Sequence, residues 1–243
     1  MRNSTRLIPL VAAVVCLTGC GRAINRTAER RVRDALPNLI GDARDYRVHI
    51  SNSAIRTIEG RLSDVSIDGD DVQLRNGLLL DNLHLDLRGV NVDTVRRRVR
   101  DVRSATFSAT IGQAALEEFL AGESPQNETI SDARVALGPG NRVTLAAKHS
   151  VLGIGVPFSV SGPLRLAGPQ KVELDASRMS VVGIPIGGIA LRFLKSRFNS
   201  ALDLSALPFP LQLTGIQVSQ RSLKATGSAD VTAILQRSQQ QHK

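Results

Sequence analysis

The first hydrophobic positions of the chain form a short continuous run. Leu7 to Leu17 are mostly Leu, Ile, Val and Ala, and two arginines, Arg2 and Arg6, precede them. A positive start followed by such a run is typical of a secretory signal, and the run is too short to span a bilayer. The pattern therefore predicts export.

The apolar run ends in a recognisable motif. Leu17-Thr18-Gly19-Cys20 resembles the lipobox of bacterial lipoproteins, in which small residues precede a cysteine that is acylated and becomes the new N-terminus. Ordinary signal cleavage favours an A-x-A-like site, which this stretch lacks. We therefore predict a signal peptide over residues 1–19 and lipid attachment at Cys20. The membrane would be the first partner, with the protein anchored on the periplasmic or extracytoplasmic side of the cell envelope.

A helical pattern follows within residues 20–40, because apolar side chains recur at spacings of three and four. These are Ile24, Ala28, Val32, Ala35, Leu36 and Leu39, with a second stripe at Arg22, Arg26, Arg30 and Arg33. Pro37 predicts that the helix ends or kinks near Leu36. Such a basic amphipathic helix can lie in a membrane interface, or it can pack on the domain core with a solvated arginine face.

From Gly60 the hydrophobic period changes to two, which predicts strands with one buried face. The apolar positions are Leu62, Val65, Ile67, Val72, Leu74, Leu83, Leu85 and Leu87. Asp68-Gly69 and Asn76-Gly77 are strong hairpin dipeptides, so both predict turns. The aspartates around residue 68 are interpreted as solvated turn residues, since a calcium loop of the EF-hand type would need a glutamate where Arg75 stands.

Helical spacing returns over residues 92–103, where four valines alternate with arginines and predict a second basic helix. Its arginines can bind lipid headgroups or form a solvated face, which is the commoner outcome. A short strand over 105–111 and a helix over 115–120 follow. After a polar loop at 123–128, strands at 133–137, 143–147, 156–160, 164–166 and 172–176 predict an antiparallel meander. An apolar helix over 186–202 and a closing hairpin over 211–231 complete the chain.

These patterns predict an α+β fold with a single domain over residues 41–235 and a polar tail over 236–243. Removal of Cys16 with the signal and acylation of Cys20 would leave no thiol for a disulfide, so the domain depends on its apolar core. The formal charge is +9. Nucleic acid is not an expected partner, because the chain is exported, has no Trp and has only Tyr46 for base stacking.

No catalytic constellation, metal site or cofactor motif is present in the sequence. The histidines, at 49, 84, 149 and 242, are scattered, and His84 sits at an outward position of an alternating strand. None has ligand neighbours at a spacing typical of a metal site. There is neither a nucleophile elbow nor a phosphate-binding glycine loop. A binding protein without a cofactor is therefore favoured over an enzyme.

The order of elements from residue 60 onward resembles the LmeA-like phospholipid-binding family of bacterial envelope proteins. The resemblance rests on segments at 60–67, 83–92, 107–111, 182–185 and 207–208 and on the closing hairpin. It implies a phospholipid ligand and an elongated, strongly curved antiparallel sheet wrapped around or packed on a few helices, as in tubular lipid-binding proteins. One departure is the lipobox, because members of the family need not be lipidated.

The resemblance also implies an apolar groove or tunnel between sheet and helices. Its candidate lining residues are Phe107, Phe119, Phe158, Leu191, Leu194 and Phe198, with Arg96, Arg97 and Arg100 as headgroup candidates. Core packing is the ordinary role for any one of the apolar residues. The lipid would be transported or presented to an envelope enzyme or transporter. The alternative function is an assembly lipoprotein that binds another envelope protein and has a closed core. An envelope hydrolase ranks last.

Overall fold

The computed structural model describes residues 8–93, 98–122, 130–151, 154–175, 178–181 and 211–229. Three helices lie in these ranges, α1 (Ile8–Leu39), α2 (Ala54–Ile58) and α3 (Gln113–Gly122). The strands are β1 (Gly41–Ser51), β2 (Arg61–Leu74), β3 (Leu79–Asp93), β4 (Arg98–Gly112), β5 (Ile130–Gly138), β6 (Arg142–Val151), β7 (Ile154–Leu166), β8 (Val172–Leu174), β9 (Arg178–Val181), β10 (Leu211–Ser219) and β11 (Ser222–Ala229). The predicted α+β class is confirmed.

Two curved, open antiparallel sheets carry the fold. The first has six strands in the order β1-β2-β3-β4-β11-β10, and the second has five, with β5-β6-β7-β8 in sequence and β9 paired to β7. The second sheet is the predicted meander. The closing hairpin, β10 and β11, returns to the first sheet and pairs with β4. The sequence pattern predicted the hairpin but not that it would pair with β4, a strand far earlier in the chain.

The predicted turn at Asp68-Gly69 is wrong, because β2 runs through it without interruption. A Cβ at Gly69 would lie 2.8 Å from the ring of Tyr46 and 2.7 Å from the side chain of Val72. The glycine therefore makes room for a buried aromatic ring, and the aspartates beside it are strand residues, not turn residues. The turn at Asn76-Gly77 is confirmed between β2 and β3.

The buried face of β2 changes between odd and even positions twice. Leu62 and Val72 are buried at even positions, whereas Val65 between them is buried at an odd one. Asp71, with a φ of 49°, lies just before Val72, where the buried positions become even again. Gly89 of β3, with a φ of 63°, lies across from the other change, between Leu62 and Val65. Left-handed residues of this kind rotate a strand locally, as in β-bulges. The rotation keeps the apolar side chains on one side of a long, twisted sheet.

The predicted helix over 92–103 is wrong for residues 92–93 and 98–103, which the structure describes as strand. β3 continues to Asp93 and β4 begins at Arg98, and Val92 pairs with Val99 across the ladder. A register shift next to Val92 interrupts the two-residue period, so the valines fall at a spacing that imitates a helix. Their branched Cβ atoms favour the extended backbone that they adopt.

Helix α1 extends to Leu39 with Pro37 inside it, so of the two predicted outcomes, an end or a kink near Leu36, the end is wrong. Leu36 is buried, and Ala28 and Val32 pack partly buried against the same core. This part of α1 therefore packs on the domain with its arginines exposed, as in the second of the two alternatives. No helix within the described residues is both long and apolar enough to cross a bilayer.

Each edge strand of the six-stranded sheet has backbone groups that bond to a side chain from another element. At β1, the Glu29 carboxylate of α1 accepts a hydrogen bond from the Ile50 N–H at 3.0 Å. At β10, Asn141 from the β5–β6 turn accepts the Val218 N–H at 2.8 Å and donates to the Ile216 carbonyl at 3.2 Å. Backbone groups bonded in this way are not available to pair with another chain. Asn141 also joins the two sheets.

Replacing Asn141 with glycine should lower the free energy of unfolding by about 1–3 kcal/mol, because two backbone groups of β10 lose their partner. Glycine tolerates the φ of 55° at this position, so the loss would report the side chain and not backbone strain. Urea unfolding followed by circular dichroism measures it. Asn141→Asp keeps the acceptor for Val218 and should lose less. Equal stability of all three chains would show that the side chain does not join the sheets.

Candidate functional site

The inner faces of the two sheets share one cluster of buried apolar side chains. Leu83 and Ile111 contribute from the first sheet, and Val143 and Leu145 from the second. Leu116 of α3 is fully buried in the same cluster. The Glu117 carboxylate of this helix accepts a hydrogen bond from the Val135 N–H at 3.0 Å. Helix α3 therefore links the inner face to the meander.

Three of the six predicted lining residues lie in this cluster. Phe107 on β4, Phe119 on α3 and Phe158 on β7 are all buried. The ring of Phe107 packs over Gly227 of β11, where a Cβ would lie 2.6 Å from the ring. The other three candidates, Leu191, Leu194 and Phe198, lie outside the described residues.

Four apolar side chains of the inner face along β3 and β4 are only partly buried, on either side of the buried pair Val90 and Val102. Leu85 and Leu87 lie opposite Phe107 and Ala105 of β4, and Val92 pairs with Val99 farther along. Leu85, Leu87, Val92 and Val99 all pack against the core cluster while keeping part of their surface exposed. We call these four residues the half-open strip. Sequence analysis placed Leu85 and Leu87 on an inner face, but alternation does not distinguish a partly exposed position from a buried one.

An ion pair stands at the end of the half-open strip. Arg100 Nη2 lies 2.8 Å and Nε 3.2 Å from the same oxygen of Asp93. Among the residues that the structure describes, Asp93 is a charged residue that is buried. About two thirds of the Arg100 side chain, in contrast, is exposed. Arg100 therefore reaches this end with its charge already compensated by a carboxylate. Arg96 and Arg97 lie outside the described residues.

The outer face of the same sheet is polar. His84 on β3 stands between two carboxylates, with Nδ1 2.7 Å from Asp68 Oδ1 and Nε2 3.1 Å from Asp86 Oδ2. The hydrogen bond to Asp68 is the main cause that raises the pKa of His84 above its usual 6.5. Both ring nitrogens face acceptors, so the imidazolium, which donates from both, fits this position best. Nearby, the Arg47 guanidinium lowers the pKa of Asp70 through a hydrogen bond.

The pKa of His84, followed by NMR, should lie above 6.5, and Asp68→Asn should lower it. A raised pKa in the folded state means that the ion pairs stabilise the fold fully below pH 6.5. This contribution is lost as the pH rises through the folded-state pKa. It should stay below about 1 kcal/mol, because the site is partly exposed and screened by solvent. A His84 pKa at or below 6.5 would contradict the ion pairs.

The described residues contain no group of His, Cys, Asp and Glu side chains that could hold a metal ion. The geometry of these residues instead combines an apolar inner face, a half-open strip and a charged outer face. Cys20, the predicted site of lipid attachment, lies within α1, five positions before Asn25.

Comparison with known proteins identifies a family. No curated protein and no solved structure matches the chain. The model of a family described as LmeA-like phospholipid-binding matches residues 19–228. That span includes the half-open strip and all of both sheets except Ala229 at the end of β11. With most of its length matched, the chain belongs to the LmeA-like phospholipid-binding family.

Proposed function

We propose that this protein is a lipoprotein of the cell envelope, acylated at Cys20, that holds phospholipid on its inner face for transport or presentation to an envelope enzyme or transporter. The half-open strip carries the proposal. It is an apolar surface, continuous with the core, that the protein does not fully cover in a chain whose family is phospholipid-binding. Binding needs no covalent step and no cofactor.

The dimensions of the strip fit an acyl chain. Leu85 and Val92 are seven residues apart on β3, which corresponds to about 23 Å of extended strand. One leaflet of a bilayer contains roughly half of a hydrocarbon core about 30 Å thick. An acyl chain about 15 Å long, laid along β3, would therefore cover roughly two thirds of the strip. Each methylene removed from water there contributes about 0.8 kcal/mol.

The polar headgroup would lie at the Val92 end of the strip, where Arg100 stands. A lipid phosphate there would compete with Asp93 for the guanidinium, since both anions accept charge-assisted hydrogen bonds from arginine. The acyl chains would extend toward Leu85 and Phe107. Residues 41–235 would act as one domain, because the shared core joins both sheets.

Lipid extraction from the purified chain tests the proposal. A chain that begins at residue 21, secreted through an ordinary signal peptide, should copurify with phospholipid detectable by mass spectrometry. After delipidation it should take up a fluorescent phospholipid. Absence of both copurified lipid and uptake would contradict lipid binding and favour an assembly lipoprotein with a closed core. Hydrolysis of the added lipid would instead indicate an enzyme.

Anchoring is tested separately on the full chain. Native chain should partition with membranes and carry acyl groups on Cys20, visible as a mass increase of its N-terminal peptide. Cys20→Ala should lose both the acyl mass and processing before Cys20. An unmodified, processed Cys20 would contradict the lipoprotein assignment without affecting the lipid-binding result.

A further inference from the structure

One face of α2 exposes two isoleucines. Ile55 and Ile58 are 71% and 61% exposed, and their spacing of three places them on the same side of the helix. Four large hydrophobic side chains are exposed in the described part of the chain, and two of them lie on this five-residue helix. Single exposed apolar residues are ordinary, whereas a pair on one face is a candidate interaction surface.

Hydrogen bonds connect α2 and Asn52, two residues before it, to the segment of α1 that follows Cys20. Asn25 Nδ2 donates to the Asn52 carbonyl at 3.0 Å, and Thr57 Oγ1 donates to Asn25 Oδ1 at 2.8 Å. Asn25 follows Cys20 by five residues, or about 7.5 Å along a helix axis. An acyl anchor on Cys20 would therefore hold α2 close to the bilayer.

The charge around α2 is basic. Arg56 of α2 and Arg26 of α1 are exposed, and Arg61, at the start of β2, has Glu59 as its neighbour at 3.7 Å. Arg26, Arg56 and Arg61 thus outnumber the two glutamates of the region, Glu59 and Glu29. Arginines beside exposed apolar side chains match the surface of an anionic phospholipid bilayer, where the former contact phosphates and the latter enter the acyl boundary.

We propose that α2 is a membrane-docking element whose Ile55 and Ile58 insert into the interface of an anionic bilayer, with Arg56 against lipid phosphates. The inference rests on the proposed anchoring at Cys20. It also gives the domain an orientation. Arg61 pairs with Asn91, so α2 and the Val92 end of the half-open strip lie at the same end of the sheet. Docking would turn that end of the strip toward the membrane.

Fluorescent labelling of the full chain tests the docking. Ile55→Cys and Ile58→Cys chains, isolated from membranes, are labelled with an environment-sensitive fluorophore and reconstituted into phosphatidylcholine–phosphatidylglycerol vesicles. Ser104→Cys, exposed on the outer face of β4, is the matched control. A chain without an introduced cysteine reports any labelling at Cys16 or Cys20. Thermal unfolding confirms that each variant keeps the native fold.

Docking predicts blue-shifted emission at positions 55 and 58 that nitroxide-bearing lipids quench, with neither effect at position 104. Vesicles that float with the chain but leave 55 and 58 unquenched would overturn the docking and leave the anchor intact. Blue-shifted emission without quenching would show that Ile55 and Ile58 contact a second copy of the chain instead of lipid, and would also overturn the docking. Failure to float would contradict both the anchor and the docking, while lipid copurification would still report on the inner face.

Discussion

Replacing Gly227 with alanine should destabilise the protein by about 3 kcal/mol or more, because a new methyl group has no space there. A Cβ at this position would lie 2.2 Å from the Gln212 carbonyl oxygen and 2.6 Å from the ring of Phe107. The carbonyl belongs to the paired strand β10, so relief requires the hairpin backbone to move. Urea unfolding should show a much lower midpoint or no folded chain.

Gly155→Ala is the matched control in another strand. A Cβ at Gly155 would meet only the flexible side chain of Lys148, at 3.7 Å. Its effect on stability should lie within about 0.5 kcal/mol of zero, as for ordinary surface substitutions. A Gly227→Ala chain as stable as the Gly155→Ala chain would mean that β10 and β11 do not pack against Phe107 as described.

Replacing Leu87 with asparagine should weaken phospholipid binding about tenfold or more. Burial of a leucine side chain contributes about 1.5–3 kcal/mol, and each 1.4 kcal/mol corresponds to a tenfold change in Kd. Leu87 is partly buried in the middle of the half-open strip, so the substitution removes apolar contact with the ligand. Equilibrium titration of the delipidated chain with a fluorescent phospholipid measures the change.

Leu79→Asn separates binding from stability. Leu79 is also a leucine of β3, partly buried against the core, but it lies eight residues from Leu87, or about 27 Å along the strand. Both substitutions should cost similar stability, and only Leu87→Asn should weaken lipid binding. Equal losses of affinity would show that the effect arises from general destabilisation and not from the half-open strip.

The sequence predicted the elements whose hydrophobic period is regular. Strands of the meander alternate, and α3 has apolar residues on one face, so type and approximate position were correct. The closing hairpin was also predicted, although a bulge between Leu213 and Gly215 interrupts its alternation. Asn76-Gly77 was predicted correctly because its dipeptide chemistry requires a tight turn. In each case local preference and burial favour the same structure.

The errors occur where a local pattern has more than one structural cause. Asp68-Gly69 has the composition of a turn, but the glycine accommodates Tyr46 from the neighbouring strand. The valines near residue 92 have helical spacing because β3 and β4 are irregular there. Neither the packing of a ring from another strand nor a register shift is visible in a single sequence.

The candidate site was predicted in part. The family resemblance implied a lipid ligand, and the apolar periodicity placed Phe107, Phe119 and Phe158 on inner faces. Which inner positions remain partly exposed depends on how the two sheets and the helices cover one another. The pairing of Arg100 with Asp93 likewise depends on a strand pairing where a helix was predicted.

Photo-crosslinking tests most directly whether phospholipid lies on the inner face. The chain is loaded with a phospholipid that carries a diazirine in its acyl chain, irradiated, digested and mapped by mass spectrometry. We predict crosslinks on β3 and β4 at Leu85, Leu87 and Val99, with none on the outer-face residues His84 and Ser108. Crosslinks confined to the outer face, or no crosslinks to the inner face of a loaded chain, would contradict the account.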